Sequence, residues 1–105
     1  MQFIETSLFT SQIQKLLSEE EYRAFQMALT LRPEQGVLIP GASGLRKVRW
    51  SAKGQGKRGG CRIIYFWDKN SEQIYLLYTY PKNRQLDLIS AQVKALSKLV
   101  REELK

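Results

Sequence analysis

Seven cations and no acid lie between Gly36 and Trp67, whereas the rest of the 105-residue chain carries ten cations and ten acids. The whole net charge of +7 therefore belongs to this one stretch. Its cations are Arg46, Lys47, Arg49, Lys53, Lys57, Arg58 and Arg62. Charge segregated in this way creates a local positive potential, and the natural partner of such a potential is a polyanion. Nucleic acid is the first polyanion to consider for a small basic domain.

The segment from Lys53 to Gly60 combines four glycines with three cations. It does not match a Walker A loop, because Arg58 stands where that motif needs Ser or Thr and no helix is expected to follow. Its cations favour contact with a phosphate backbone, and the alternative is a solvated hairpin loop. Arg62 comes next, and its planar guanidinium suits bidentate phosphate binding. The alternative for Arg62 is a surface ion pair, although no acid is close in sequence.

A second group of candidate residues, Tyr80 to Arg84, lies at the end of the last predicted strand, Gln73 to Tyr80. Pro81 interrupts strand pairing, so we expect these side chains at a rim of the sheet. A tyrosine can stack on a base, while Lys82 and Arg84 can hold phosphate. The alternative for Tyr80 is a core aromatic with its hydroxyl at the edge. Core or sheet-face positions are expected for the other aromatics of the strands, Trp50, Tyr65, Phe66 and Trp67.

The composition excludes several kinds of catalysis. The chain has no histidine and a single cysteine, Cys61, so His-based proton transfer and His or thiolate metal sites are excluded. Cys61 lacks a histidine base and is expected to be a small buried hydrophobe. We expect neither metal nor cofactor. The lone cysteine, together with the lack of a signal-peptide pattern or a long apolar span, predicts a cytoplasmic protein.

Hydrophobic periodicity predicts the helices and strands that carry these residues. Apolar residues at helical spacing predict two short helices packed as a hairpin within residues 7–31, with a capping box from Ser18 to Glu21. From Leu45 onward the period is two, which predicts three strands in an antiparallel meander. A short N-terminal strand, and a C-terminal helix that Ser90 would cap, complete the pattern. We predict one α+β domain over residues 1–105, with the helices on one face of the sheet.

Three blocks of this sequence resemble the RelE/HigB family of bacterial toxins, most closely its HigB-like branch. They are GLRKVR at 44–49, GKRGGCRIIY at 56–65 and YLLYTYPKN at 75–83. Asp87-Leu88 before the last helix and Arg32-Pro33-Glu34 after the helical pair also fit. The order and spacing of the blocks are specific, and the resemblance covers nearly the whole chain. It implies a RelE-like fold.

The resemblance also implies a function and a set of site residues. It implies the toxin of a type II toxin–antitoxin system, which cuts mRNA at the A site of the small ribosomal subunit without metal or cofactor. A cognate antitoxin, of helix-turn-helix type, would neutralise it. By position, Arg62, Tyr80, Lys82 and Lys57 would be catalytic. RNA or ribosome contacts would come from Arg46, Lys47, Arg49, Lys53, Arg58 and Arg84.

In the reaction that the resemblance implies, Arg62 would bind the scissile phosphate. Tyr80 would stack on a base or orient the RNA. Lys57 or Lys82 would transfer the proton, since clustered cations lower the pKa of a lysine. Two alternatives remain open at this point. One is a gyrase-inhibiting toxin of the same superfold, and the other is a non-catalytic nucleic-acid-binding module. Message cleavage during translation separates the leading hypothesis from the non-catalytic module. A gyrase inhibitor would instead cause DNA damage signalling and stalled replication, whereas the leading hypothesis predicts rapid loss of protein synthesis.

Overall fold

The computed structural model describes residues 1–51, 60–85 and 87–104. The described ranges form an α+β fold, as predicted, and none of their helices is long and apolar enough to cross a membrane. The helices are α1 (Ser7–Leu16), α2 (Glu19–Leu31) and α3 (Ser90–Leu99), and α3 continues into a π-helical turn, Val100–Leu104. The strands are β1 (Gln2–Glu5), β2 (Val37–Leu38), β3 (Leu45–Trp50), β4 (Cys61–Asp68) and β5 (Gln73–Pro81).

The N-terminal helices form the predicted hairpin. Ser18 caps α2 through a complete capping box, in which the Glu21 N–H donates to Ser18 Oγ at 3.2 Å and the Ser18 N–H donates to Glu21 Oε1 at 2.7 Å. At the other end of the chain, the expected capping residue is displaced by one. Ile89 precedes α3 as its N-cap, and Ser90 is the first residue inside the helix.

The five strands form one sheet in the order β1-β5-β4-β3-β2. Strands β3, β4 and β5 are the antiparallel meander that the sequence predicts. The N-terminal strand β1 pairs parallel with β5, and its last pair is Glu5 with Leu76. Strand β2 was not predicted, because its two residues are too few to show alternation. It pairs antiparallel with β3 at the opposite edge of the sheet.

Helices cover both faces of the sheet, so the expectation of helices on one face is wrong. Phe9 and Phe25 from the helical hairpin pack with Ile63 on one face. On the other face Val100 packs with Ile64, and Val93, Leu96 and Leu99 of α3 lie against the same cluster. A strand that is buried on both faces carries a continuous apolar run, as residues 63–67 do, and this run is the sequence signal for helices on both faces. The face covered by α1 and α2 is called the hairpin face below, and the other is called the α3 face.

Candidate functional site

Two arginines lie directly opposite each other on neighbouring strands of the α3 face. Arg49 on β3 pairs with Arg62 on β4, and Arg62 pairs with Tyr80 on β5. Directly paired residues project their side chains to the same face of a sheet, so the three form one row across three strands. Like charges directly opposite each other are unfavourable. An anion bound between Arg49 and Arg62 would convert this repulsion into attraction.

Arg62 is buried, with only 6% of its surface exposed. Its side chain forms no ion pair or hydrogen bond with the residues that the structure describes. Residues 52–59 contain no acid that could pair with it. The alternative of a surface arginine paired with an acid is therefore wrong. An arginine that is buried without an ion pair to the described residues is a candidate for binding an anionic ligand.

Tyr80 is 3% exposed, and its buried hydroxyl has no hydrogen-bond partner among the described residues. Burial raises the pKa of Tyr80, the charge of Asp87 raises it further, and Arg62 opposes both. The phenol therefore stays protonated at neutral pH and can donate a hydrogen bond. The expected rim position is wrong for Tyr80 but correct for Lys82 and Arg84, which are exposed. A ring that is 3% exposed offers no open face for stacking on a base.

The carboxylate of Asp87, which the sequence pattern does not mark as a site residue, lies beside this row. Asp87 Oδ1 accepts a hydrogen bond from Lys47 Nζ at 2.9 Å and another from the Leu88 N–H at 2.9 Å. The Lys47 hydrogen bond is the main cause that lowers the pKa of Asp87, and the nearby Arg62 charge lowers it further. Asp87 is therefore ionised at neutral pH. It fixes Lys47, which projects to the α3 face two residues before Arg49 on β3.

Arg46 lies on the other side of the sheet from the candidate site. It pairs with Tyr65, whose side chain belongs to the core of the hairpin face. The Arg46 Nη1 donates to the carbonyl of Glu34 at 2.9 Å and to the carbonyl of Gly36 at 2.8 Å. The structure therefore separates Arg46 from Lys47 and Arg49 and gives it a structural role beside β2.

Three of the candidate cations, Lys53, Lys57 and Arg58, lie outside the described residues. The chain leaves β3 at Ser51 and returns at Gly60, next to the ends of the strands that carry Arg49 and Arg62. Gly60 has a φ of +66°, and a Cβ there would lie 1.9 Å from the Trp50 carbonyl oxygen, so only glycine fits. The Lys82 N–H donates to the Gly60 carbonyl at 3.3 Å, which brings the backbone of Lys82 to the same end of the sheet.

The expectations for the remaining candidates are confirmed. Cys61 is fully buried, and burial raises the pKa of its thiol to about 11, so the thiol is not a nucleophile at neutral pH. Tyr65 and Phe66 are buried, and Trp50 and Trp67 pack against the core while remaining partly exposed. The Tyr65 hydroxyl donates to the Pro33 carbonyl at 2.8 Å and accepts from the Gly36 N–H at 2.9 Å.

The site thus consists of Lys47, Arg49, Arg62, Tyr80 and Asp87, with Lys82 at the end of β5. Fixed cations and a neutral phenol donor suit a phosphate whose negative charge increases during a reaction. A guanidinium also holds its charge at any accessible pH. The arrangement can therefore bind a phosphodiester and stabilise a dianionic phosphorane.

No protein-family model matches the chain. Its structure is similar to that of a free-state mutant of the E. coli toxin RelE in which two arginines are replaced by alanine, with a TM-score of 0.60. The match covers 98% of this chain and 97% of that chain at 11% sequence identity. At this identity the likeness concerns the fold, and the chain has the RelE-like fold that the resemblance implied.

Proposed function

We propose that this protein is the toxin of a bacterial type II toxin–antitoxin system, of the HigB-like branch, and acts in the cytoplasm as a metal-independent endoribonuclease. Its substrate is mRNA on the translating ribosome, at the A site of the small subunit. Its inhibitor is a cognate helix-turn-helix antitoxin. The similarity of the whole fold to a RelE toxin and the basic composition both support this proposal.

The row of Arg49, Arg62 and Tyr80 is the observation on which the proposal rests. Two like charges face each other, one of them is buried without an ion pair to the described residues, and the adjacent phenol has an unused donor. Each of these features costs stability in the free protein. A bound phosphate would relieve all three, because it supplies negative charge and hydrogen-bond acceptors.

The proposed reaction is an internal transfer at phosphorus. The 2′-oxygen of the ribose attacks the adjacent phosphorus, and its proton passes to a base. The bond from phosphorus to the 5′-oxygen breaks, and that oxygen takes a proton from an acid. The products are a 2′,3′-cyclic phosphate and a 5′-hydroxyl, so no water or metal enters the balance. Arg62 and Arg49 stabilise the phosphorane, and oriented charges of this kind contribute on the order of 10²–10³ in rate each.

Each remaining residue has a role in this scheme. Lys82 or Lys57 transfers the proton, and the protonated phenol of Tyr80 orients the phosphate by donating to a phosphoryl oxygen. Asp87 is a weak base, because its pKa is lowered, and it acts by positioning Lys47. Lys53, Arg58 and Arg84 add contacts to RNA or ribosome. Arg46 is left out of this surface, because its guanidinium is bound to backbone carbonyls.

Expression without an antitoxin tests this function in cells. Pulse labelling should show that protein synthesis falls before DNA synthesis, and Arg62→Ala should remove the effect. Arg23→Ala, at an exposed position of α2, is the matched control and should remain toxic. An earlier fall in DNA synthesis would instead favour the gyrase-inhibiting alternative. Normal growth with verified soluble protein would refute the toxin proposal.

A further inference from the structure

The edge of the sheet is open beside the second half of β5. Strand β1 pairs with β5 only as far as Leu76, whereas β5 continues to Pro81. Helix α1 runs alongside this unpaired half, and a groove of about 690 Å³ lies between the helix, the end of β5 and the turn that follows. This volume is within the range of roughly 300–1,000 Å³ that is usual for ligand sites.

Two backbone groups on this open edge of β5 already form hydrogen bonds with side chains of the same chain. The Leu77 carbonyl accepts a hydrogen bond from Thr6 Oγ1 at 2.9 Å, and the Thr79 N–H donates to Gln12 Oε1 at 3.2 Å. Pro81 has no N–H to offer. An added β-strand needs these groups, so the edge is protected against a peptide that would extend the sheet. The groove is therefore suited to a ligand that binds through side chains.

The chemistry of the groove favours an anion with an aromatic part. Among the described residues that line it, Lys15 and Arg84 are cationic and none is acidic. The half-buried ring of Tyr78 also lines it, at 5.9 Å from the ring of Tyr80. Asn83 is exposed at the groove and offers both a donor and an acceptor. Cations, an aromatic face and an amide together are the groups with which proteins hold single-stranded RNA.

We propose that this groove binds a nucleotide of the RNA strand next to the cleaved bond, with Lys15 and Arg84 on its phosphate and Tyr78 against its base. Tyr80 lies between the groove and the row of Arg49, Arg62 and Tyr80, which is called the reactive row below. It lines the groove and pairs with Arg62 in that row. This inference rests on the proposed ribonuclease function and extends it from the reacting phosphate to its neighbour. Lys15 belongs to a helix that the basic stretch does not include, and it is a new RNA-binding residue.

The experiment measures binding of a short single-stranded RNA whose 2′-oxygens are methylated, so that it cannot be cleaved. Fluorescence anisotropy is recorded over a range of salt concentrations for the wild type and for Lys15→Ala/Arg84→Ala. The control is Arg23→Ala/Lys69→Ala, which removes the same charge from exposed positions outside the groove. Loss of two phosphate contacts should weaken binding about 10-fold or more and reduce the slope of log K against log salt by about 1.4.

The control variant should bind like the wild type. Equal affinity and slope for the groove variant and the wild type would overturn the inference, as would equal losses in the groove and control variants. Loss of antitoxin binding with unchanged RNA binding would also overturn it, and would identify the groove as a protein-docking site. Arg62→Ala separates the two proposals, because its cleavage rate tests the reactive row whatever the groove variant shows. The four side chains substituted in the groove and control variants are exposed, so folding of these variants should be preserved.

Discussion

Replacement of Arg62 by methionine should stabilise the protein while it abolishes cleavage. The two effects have one cause, since the guanidinium is buried beside Arg49 without an ion pair to the described residues. Methionine keeps an unbranched stem of similar length, so the space is filled without the charge. Residues held for function at the expense of stability show this pattern.

The magnitude follows from three contributions. Removal of the like-charge contact across the strands stabilises by about 0.2–1 kcal/mol. Replacement of a whole buried ion pair by apolar side chains of similar volume stabilises proteins by up to about 1–4 kcal/mol, and this range bounds the effect of removing one buried charge. The lost attraction to Asp87 offsets less than about 1 kcal/mol, because that carboxylate is 66% exposed and remains bonded to Lys47. These contributions sum to a net gain of about 0.2–5 kcal/mol. The cleavage rate should fall on the order of 10²–10³-fold.

Urea unfolding followed by circular dichroism measures the first effect, and primer extension on ribosome-bound message measures the second. The midpoint should rise without a change in the slope of the unfolding free energy against urea. Arg23→Met, at an exposed position of α2, should change neither quantity. A fall in stability of roughly 1 kcal/mol or more for Arg62→Met would show that the guanidinium supports the fold. Cleavage at the wild-type rate would show that Arg62 is not catalytic.

Three further predictions follow from the same site. Tyr80→Phe removes a buried hydroxyl that has no partner among the described residues, so its melting temperature should equal or exceed that of the wild type. Its cleavage rate should fall roughly 10²-fold or more. A lower melting temperature would show that the hydroxyl has a hydrogen-bond partner in the folded protein. Asp87→Asn should lower the free energy of unfolding above about pH 4 and change it little below that pH. The reason is that the pKa of Asp87 is lower in the folded protein, so its ionised form stabilises the fold above the unfolded pKa and this gain is lost on acidification. A stability difference from wild type that does not change with pH would contradict the pairing with Lys47. Cleavage should be unaffected by EDTA and should leave a cyclic phosphate or 3′-phosphate end, whereas activity that EDTA removes and magnesium restores, with ribosomes intact, would disprove a metal-free reaction.

The sequence was a good guide to the elements and a weaker guide to how they are layered. Periodicity located the helical hairpin and the meander, and the Ser18 capping box is present as predicted. The expectation of one covered face overlooked the adjacent apolar residues Ile63 and Ile64, which are buried on opposite faces of β4 and indicate a strand covered on both sides. Strand β2 was not predicted, because its two residues are too few to show the alternation of a strand.

For the candidate site, charge identified the region but not the orientation of its side chains. Arg46 and Lys47 are neighbours in a basic block, yet the alternation of β3 sends them to opposite faces. Tyr80 was expected at a rim, because Pro81 follows it, but its direct pair with Arg62 buries it. Asp87 and Lys15 gave little sequence signal, since each reaches the site or the groove only through a contact far away in the chain.

The most direct test of the ribonuclease proposal is to map the ends of a defined message on programmed ribosomes, with purified wild-type protein and Arg62→Ala compared side by side. New 5′-hydroxyl ends within the A-site codon should appear with the wild type and be reduced on the order of 10²–10³-fold with Arg62→Ala. An intact message with the wild-type protein, or equal cleavage by both proteins, would contradict the account.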